Sequence, residues 1–180
     1  MRRQRTSRRR ASRRLLTTMS DVVRWATPDD ADALGEVHVT AWQTAYRGLF
    51  SDDFLDDLDL EARRRWWRAR LEDGGRVPVI GDPAVGFCFV GDADDEGWGE
   101  VYAIYVHPDR WRQGLGVLLL SAGSDLLCDM GHTKALLWVL RDNHRARRFY
   151  ESQGWELGRP IRVEEIGGAQ VTEVRYETDL

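Results

Sequence analysis

The chain is poor in cysteine, with two in 180 residues, and has no long apolar run. A membrane-spanning helix needs about 18 or more consecutive apolar residues, so the expectation is a protein without a membrane span. Two cysteines are too few for the disulfide framework of a small secreted domain. Cys88 and Cys128 each lie in apolar sequence and read as buried free thiols of a reducing, cytoplasmic compartment. The four histidines are scattered and neither cysteine has a partner at metal-ligand spacing, so no metal site is expected. Internal repeats are absent. What remains is 42% hydrophobic residues and eight tryptophans, enough for one domain with a proper core in a chain too short for two comfortable ones.

Acid is missing from residues 1–18, "MRRQRTSRRRASRRLLTT", which hold eight arginines. Setting those eight aside leaves 18 basic residues against 30 acids, a formal charge of about −12 for the rest. A basic tail of this kind can bind nucleic acid or an anionic membrane, and an Arg- and Ser-rich leader also resembles an organelle transit peptide. Two plainer readings are favoured: the tail is disordered, or translation starts at Met19 of "MSDVVRWATPDDADAL". Nucleic-acid binding through the tail is the least favoured, and the folded unit is expected to be a single domain over residues 19–180.

"DVVRWA" (Asp21 to Ala26) reads as a short strand. Thr27-Pro28-Asp29-Asp30 then supplies a hydroxyl cap, a proline at the first helical position and acids in the first turn. Ala33, Leu34, Val37, Ala41 and Ala45 continue a helix to about Arg47. "SDDFLDDLDLEARRRWWRARLEDGG" continues with a capped acidic turn and a second helix that stops at Gly74-Gly75. "VPVIG" and "AVGFCFVG" read as a hairpin. "EVYAIYV" (Glu100 to Val106) is apolar on both faces beyond its first residue and is expected at the centre of a sheet. Alternation places Glu100, Tyr102 and Ile104 on one face.

A helix with Leu115, Leu118, Leu119, Ala122, Leu126 and Met130 on one side follows, ended by Gly131. "KALLWVL" is another apolar strand, Asn143 caps a helix to about Gln153, and strands near Trp155–Val163 and Val171–Thr178 flank Gly167-Gly168. The order is α+β, with a strand–helix–strand unit at the centre whose strands should be parallel.

Gly114 and Gly116 sit where the third long helix begins, although glycine costs about 1 kcal/mol in a helix interior. A helix N-terminus offers unpaired N–H groups and about half a positive charge, and glycines allow a phosphate close to the backbone. The lysine and hydroxyl of a Walker-type loop are missing, as is the third glycine of a dinucleotide fingerprint. Taken alone, an isolated G-x-G is more often just a tight turn.

The surroundings change that reading. "VYAIYVHPDRWRQGLGVLLL" together with "NHRARRFYESQGW" resembles the GNAT superfamily of acyl-CoA-dependent N-acetyltransferases, over about Asp21 to Tyr176. The resemblance implies a mixed, mostly antiparallel sheet of six or seven strands flanked by about four helices, with a central parallel strand–helix–strand unit that binds the cofactor. It implies acetyl-CoA as co-substrate, its pyrophosphate wrapped by the backbone of Gln113, Gly114, Leu115, Gly116 and Val117, and its pantetheine arm and acetyl carbonyl held by backbone groups around Tyr105 and Val106. Where the family motif usually has Gln or Arg, this chain has Trp111, with Arg112 or Arg110 available to supply charge.

The resemblance also implies that Asn143 touches the cofactor arm and that the Tyr150 hydroxyl protonates the departing thiolate. Seven residues apart, the two share a helix face; their plain structural roles would be an N-cap and a half-buried aromatic. Glu100 matches the position of a catalytic glutamate in some relatives, and is otherwise a solvated strand end. "HVTAWQTAYRGLF" resembles a segment whose helices wall the acceptor cleft, so Trp42 and Tyr46 are candidate acceptor contacts or core aromatics. The leading reading is acetyl transfer from acetyl-CoA to a primary amine, on a small molecule or peptide, by direct attack in a ternary complex. The alternative is a non-catalytic acyl-CoA sensor module. A homodimer through the terminal strands is open.

Overall fold

The computed structural model describes residues 22–180; the basic tail, the Met19 start and Asp21 lie outside the described residues. Seven strands form one sheet: β1 (Val23–Trp25), β2 (Pro78–Ile80), β3 (Gly86–Asp92), β4 (Gly99–Val106), β5 (Lys134–Leu140), β6 (Glu156–Ile166) and β7 (Ala169–Asp179). Their order is β1-β2-β3-β4-β5-β7-β6. Five helices accompany them: α1 (Ala31–Ala45), α2 (Asp52–Asp56), α3 (Leu60–Glu72), α4 (Leu115–Asp129) and α5 (His144–Ser152). β4 is the middle strand, as its double apolar face predicts, and β4–α4–β5 is the one parallel crossover among the named strands. The expected hairpin of β2 and β3 is antiparallel, and β7 inserts between β5 and β6.

Local chemistry sets the helix starts. Pro28–Asp30 forms a short 3-10 turn ahead of α1. There the Asp30 carboxylate accepts from the Thr27 N–H at 2.9 Å and from the Arg24 guanidinium at 2.6 Å, which ties α1 to β1. The capped acidic turn expected after Ser51 is the short helix α2, and the helix expected after it is α3. The Asp59 side chain accepts from the Ala62 N–H at 2.8 Å, and such a cap starts a new helix rather than continuing the old one.

One apolar layer lies between the sheet and α4, around Cys88, Val90, Val101, Leu119, Leu127, Leu137 and Tyr176. On the opposite face α1 and α3 bring Leu34, Val37, Trp67 and Leu71 against Val79 and Phe87. Three expectations are corrected in these layers. On α4 the buried residues are Leu115, Leu119, Leu120, Gly123, Leu126 and Leu127, whereas Leu118 and Met130 are 43% and 44% exposed. The helix is rotated by its close approach at Gly123, where an added Cβ would come within 2.5 Å of Cys88 Sγ. The same rotation leaves Cys128 exposed, while Cys88 is buried and its thiol is pushed up to about 12 by that burial.

The third correction concerns β4. Phe89 pairs with Ala103 but Val90 pairs with Val101, so Tyr102 is an extra residue. Such a bulge interrupts the alternation. Val101, Ile104 and Val106 therefore pack toward α4, and Ala103 and Tyr105 toward α1 and α3. Ile104 does not share a face with Glu100.

A methyl group at Gly123 is expected to overpack the α4 interface, at a cost of about 1–3 kcal/mol, offset by about 1 kcal/mol of helix propensity. Urea unfolding of Gly123→Ala should show a net loss of about 1 kcal/mol, recovered on adding Cys88→Ala. A more stable single variant would contradict the close approach.

Candidate active site

β4 and β5 pair at only two positions, Gly99 with Ala135 and Glu100 with Leu136. Beyond them the strands part, and a cleft of about 120 Å³ opens between them. Tyr105 and Val106 of β4 line it, with Trp138 of β5 and Asn143, Arg145 and Tyr150 from the start and face of α5. The side of β4 turned away from β3 thus carries backbone groups without a strand partner, and buried backbone groups demand hydrogen bonds.

Trp111 satisfies one of them. Its indole N–H donates to the Val106 carbonyl at 2.7 Å. On that indole lies the Arg145 guanidinium, 3.7 Å from the ring centroid, a cation–π contact. The Arg145 guanidinium is pulled below its usual range by partial desolvation, with Arg112 nearby adding to this. Among the described residues it pairs with no carboxylate. The Trp111 departure thus has a structural role, and it positions a cation in the cleft that the sequence reading missed.

The glycine loop leads from this point into α4. Gly114 has φ +84° with nothing within 4 Å of an added Cβ, so it makes the left-handed turn and leaves the space before the helix open. Gly116 differs: a Cβ there would meet the Phe149 ring at 3.5 Å, an ordinary contact. The first backbone bond of the helix runs from the Val117 N–H to the Gly114 carbonyl at 3.1 Å, so the amides of Leu115 and Gly116 lie ahead of it, and no acid occupies the first turn. Leu115 and Val117 offer backbone only here: the Leu115 side chain is buried in the core and that of Val117 faces solvent. Arg112 adopts φ +62°, a region that non-glycine residues seldom occupy. Gln113 accepts from Arg110 Nε at 2.8 Å, bracing the loop.

Asn143 caps α5, its side chain accepting from the Ala146 N–H at 3.1 Å, and it is buried at the cleft wall. Tyr150 is buried beside Trp155 and Tyr176. Burial drives its phenol far above the ordinary tyrosine value, so the group is neutral and able to donate. Among the described residues its hydroxyl has no hydrogen-bond partner.

A second cavity of about 130 Å³ adjoins the first. Trp42 and Tyr46 line it with Glu100, Tyr105, Trp138 and Glu173, and the hydroxyls of Tyr46 and Tyr105, 3.2 Å apart, stand in the wall common to both cavities. Trp42 and Tyr46 also pack against the Phe50 cluster, so they are core aromatics and cavity wall at once. Glu100 is raised above its ordinary value by burial, with Arg162 opposing that rise, and makes no ion pair among the described residues. His38 lies beneath this wall, 5.1 Å from the Tyr105 ring and 6.2 Å from Trp42. It is buried with an unpartnered Nδ1, and burial lowers it to about 3.

Glu173, Arg162, Trp138, Arg145 and His38 were absent from the sequence-derived site. Alternation in "VTEVRYETD" separates Glu173 from Val174 and Tyr176, but which face opens onto a cavity depends on the β4–β5 parting. Among the described residues no cluster of three His, Cys, Asp or Glu side chains could hold a metal ion, and no helix is long and apolar enough to cross a membrane.

A parted central parallel pair, an open helix N-terminus at its mouth and a capped α5 closing one side form the strand–helix–strand unit that the resemblance implies. Residues 22–155 match the model of the acetyltransferase (GNAT) family, and the chain belongs to that family. It is 32% identical over 160 residues to the uncharacterized N-acetyltransferase YuaI of Bacillus subtilis, covering 84% of this chain and 89% of that protein. A mycothiol acetyltransferase of Clavibacter sepedonicus is 48% identical over 136 residues, covering 65% of this chain and 44% of that protein. Among solved structures, the PaiA N-acetyltransferase of Thermoplasma acidophilum in complex with coenzyme A superposes with a TM-score of 0.67 at 19% identity, over 90% of this chain and 100% of that one. YncA of Salmonella typhimurium, a putative acetyltransferase solved with acetyl-CoA, gives 0.66 at 22% identity, over 88% and 93%.

His38 yields a stability test. Its folded value of about 3 lies below the unfolded 6.5, so the unfolded chain takes up the proton first and stability falls as pH drops below 6.5. From pH 6.5 to 5.5 the native protein should lose about 1 kcal/mol more than His38→Phe, measured by urea unfolding. Parallel losses would contradict a neutral buried His38.

Proposed function

We propose that the chain, as one N-acetyltransferase domain over residues 19–180, transfers the acetyl group of acetyl-CoA to a primary amine by direct attack in a ternary complex. The observation that carries this reading is the adjacency of two cavities with a common Tyr46–Tyr105 wall. A proton acceptor, Glu100, lines one, and a proton donor, Tyr150, lines the other. The cleft suits a coenzyme A thioester: an open approach at Gly114, amides of Leu115 and Gly116 facing it at the positive end of a helix, and the strand-edge backbone of Val106 turned away from β3 beside Tyr105. Bound there, acetyl-CoA supplies an activated acetyl group. Relatives and neighbours named as acetyltransferases, two of them solved with coenzyme A or acetyl-CoA, support the donor half. The mycothiol acetyltransferase match spans less than half of that protein, so its acceptor is not carried over.

The residues divide the proton work. The Glu100 carboxylate takes a proton from the incoming ammonium, directly or through a water, because only the neutral amine is a nucleophile. Its raised value keeps it a better base than a solvated glutamate. Tyr150, kept neutral by burial, donates from its hydroxyl to the departing sulfur. Asn143 and the Trp111 indole hold the ends of the cleft in place through the α5 cap and the Val106 carbonyl. No cysteine occupies either cavity wall, which supports direct attack over an acyl-cysteine route.

Release of coenzyme A thiol with a panel of primary amines tests the reading, and tight acetyl-CoA binding with no turnover on any amine would favour the sensor alternative. Glu100→Gln should lower kcat/KM about 100-fold near neutral pH, the deficit narrowing as pH approaches the amine's own pKa. An unchanged pH–rate profile would remove Glu100 as the base. Tyr150→Phe should lower kcat about 100-fold while the KM for acetyl-CoA stays within about twofold.

A further inference from the structure

The second cavity treats its two carboxylates differently. Glu100 has no ion-pair partner among the described residues. Glu173, directly opposite Arg162 across the β6–β7 pair, accepts from Arg162 Nε at 2.6 Å, with its side chain only 12% exposed. The Arg162 guanidinium lies 4.5 Å over the Trp138 ring. Arg162 is thus held by a carboxylate and an aromatic face together, and Glu100 is the other carboxylate of the wall. Counting Glu100, Glu173 and Arg162 leaves the cavity with one uncompensated negative charge. The surrounding Trp42, Tyr46, Phe50, Tyr102 and Tyr105 add apolar wall and ring faces but no further charge.

We propose that Arg162 sets the charge class of the acceptor: by occupying Glu173 it leaves Glu100 as the sole anchor, so the site selects an amine that carries a single positive charge. This rests on the acetyl-transfer reading and names the substrate class for it. A diamine brings a second ammonium that meets Arg162 where it would need Glu173. Discrimination of this kind comes from the repelled competitor as much as from the favoured ligand. Arg162 sits on the exposed strand β6 and lines the cavity, so it acts on charge, and its effect on Glu100 falls on both kinds of amine alike.

Butylamine and 1,4-diaminobutane, matched in length and differing by one charge, are the probes. The wild type should prefer butylamine by kcat/KM. In Arg162→Leu, which keeps apolar cover over Trp138 and frees Glu173, the diamine-to-monoamine ratio should rise about tenfold. Arg162→Lys retains the charge and should keep the wild-type ratio, which controls for loss of folding. Equilibrium binding of the same two amines, measured by calorimetry without acetyl donor, reads the ratio independently of turnover. A shifted binding ratio in Arg162→Leu upholds the role of Arg162 whether or not either amine turns over, whereas acetyl transfer itself stands or falls on the wider panel of primary amines. Turnover with ratios that agree within twofold between wild type and Arg162→Leu would overturn the role of Arg162 and leave acetyl transfer standing.

Discussion

Two parallel residue pairs, Gly99–Ala135 and Glu100–Leu136, are the constraint on which the rest depends. They hold β4 and β5 together at one end and leave them free to diverge at the other. Divergence exposes one edge of β4 inside the protein, where unsatisfied N–H and C=O groups cost free energy unless something bonds to them. Trp111 bonds to one, and the remaining edge is suited to an extended, amide-bearing ligand arm. Ala41 and Ala45 of α1 face the same cleft; their small side chains keep it from being filled by the protein itself.

The bulge at Tyr102 works with that divergence. One extra residue in β4 turns Ile104 and Val106 onto α4 while Tyr105 faces α1. Tyr105 thereby reaches Tyr46 and joins the wall common to both cavities. Burial then sorts the protonation states: Tyr150, Tyr105 and His38 are all held neutral, and the half-buried Glu100 is raised. In such surroundings a charge brought by a ligand meets few competing charges, and the ones it does meet, Glu100, Glu173, Arg162 and Arg145, carry correspondingly more weight.

Much of this was readable in the residues because it is local. The central apolar strand, the glycine turn at Gly114, the Asn143 cap and the Asn143–Tyr150 face each follow from spacing within one element, and together they carry the family resemblance. The expectations that failed were those requiring knowledge of a neighbour. Leu118 and Met130 were placed inward by helical spacing, but the rotation of α4 is set by Cys88 across the interface at Gly123. Ile104 was placed with Glu100 by alternation that the Tyr102 bulge interrupts. Cys128 looked buried because its neighbours are apolar, yet only Leu126 and Leu127 of that run turn inward. Glu173 and Arg162 come from strands far along the chain, and only the order β5-β7-β6 brings them beside Glu100.

The central claim is that the parted β4–β5 edge and the first turn of α4 receive a coenzyme A thioester. Amide hydrogen exchange of the full chain, with and without acetyl-CoA, tests it most directly. Slowed exchange is expected at Val106 and at Gly114 to Gly116, with little change in β1, β2 and α3. Unchanged exchange in both segments at saturating acetyl-CoA, or protection confined to another face of the sheet, would contradict it.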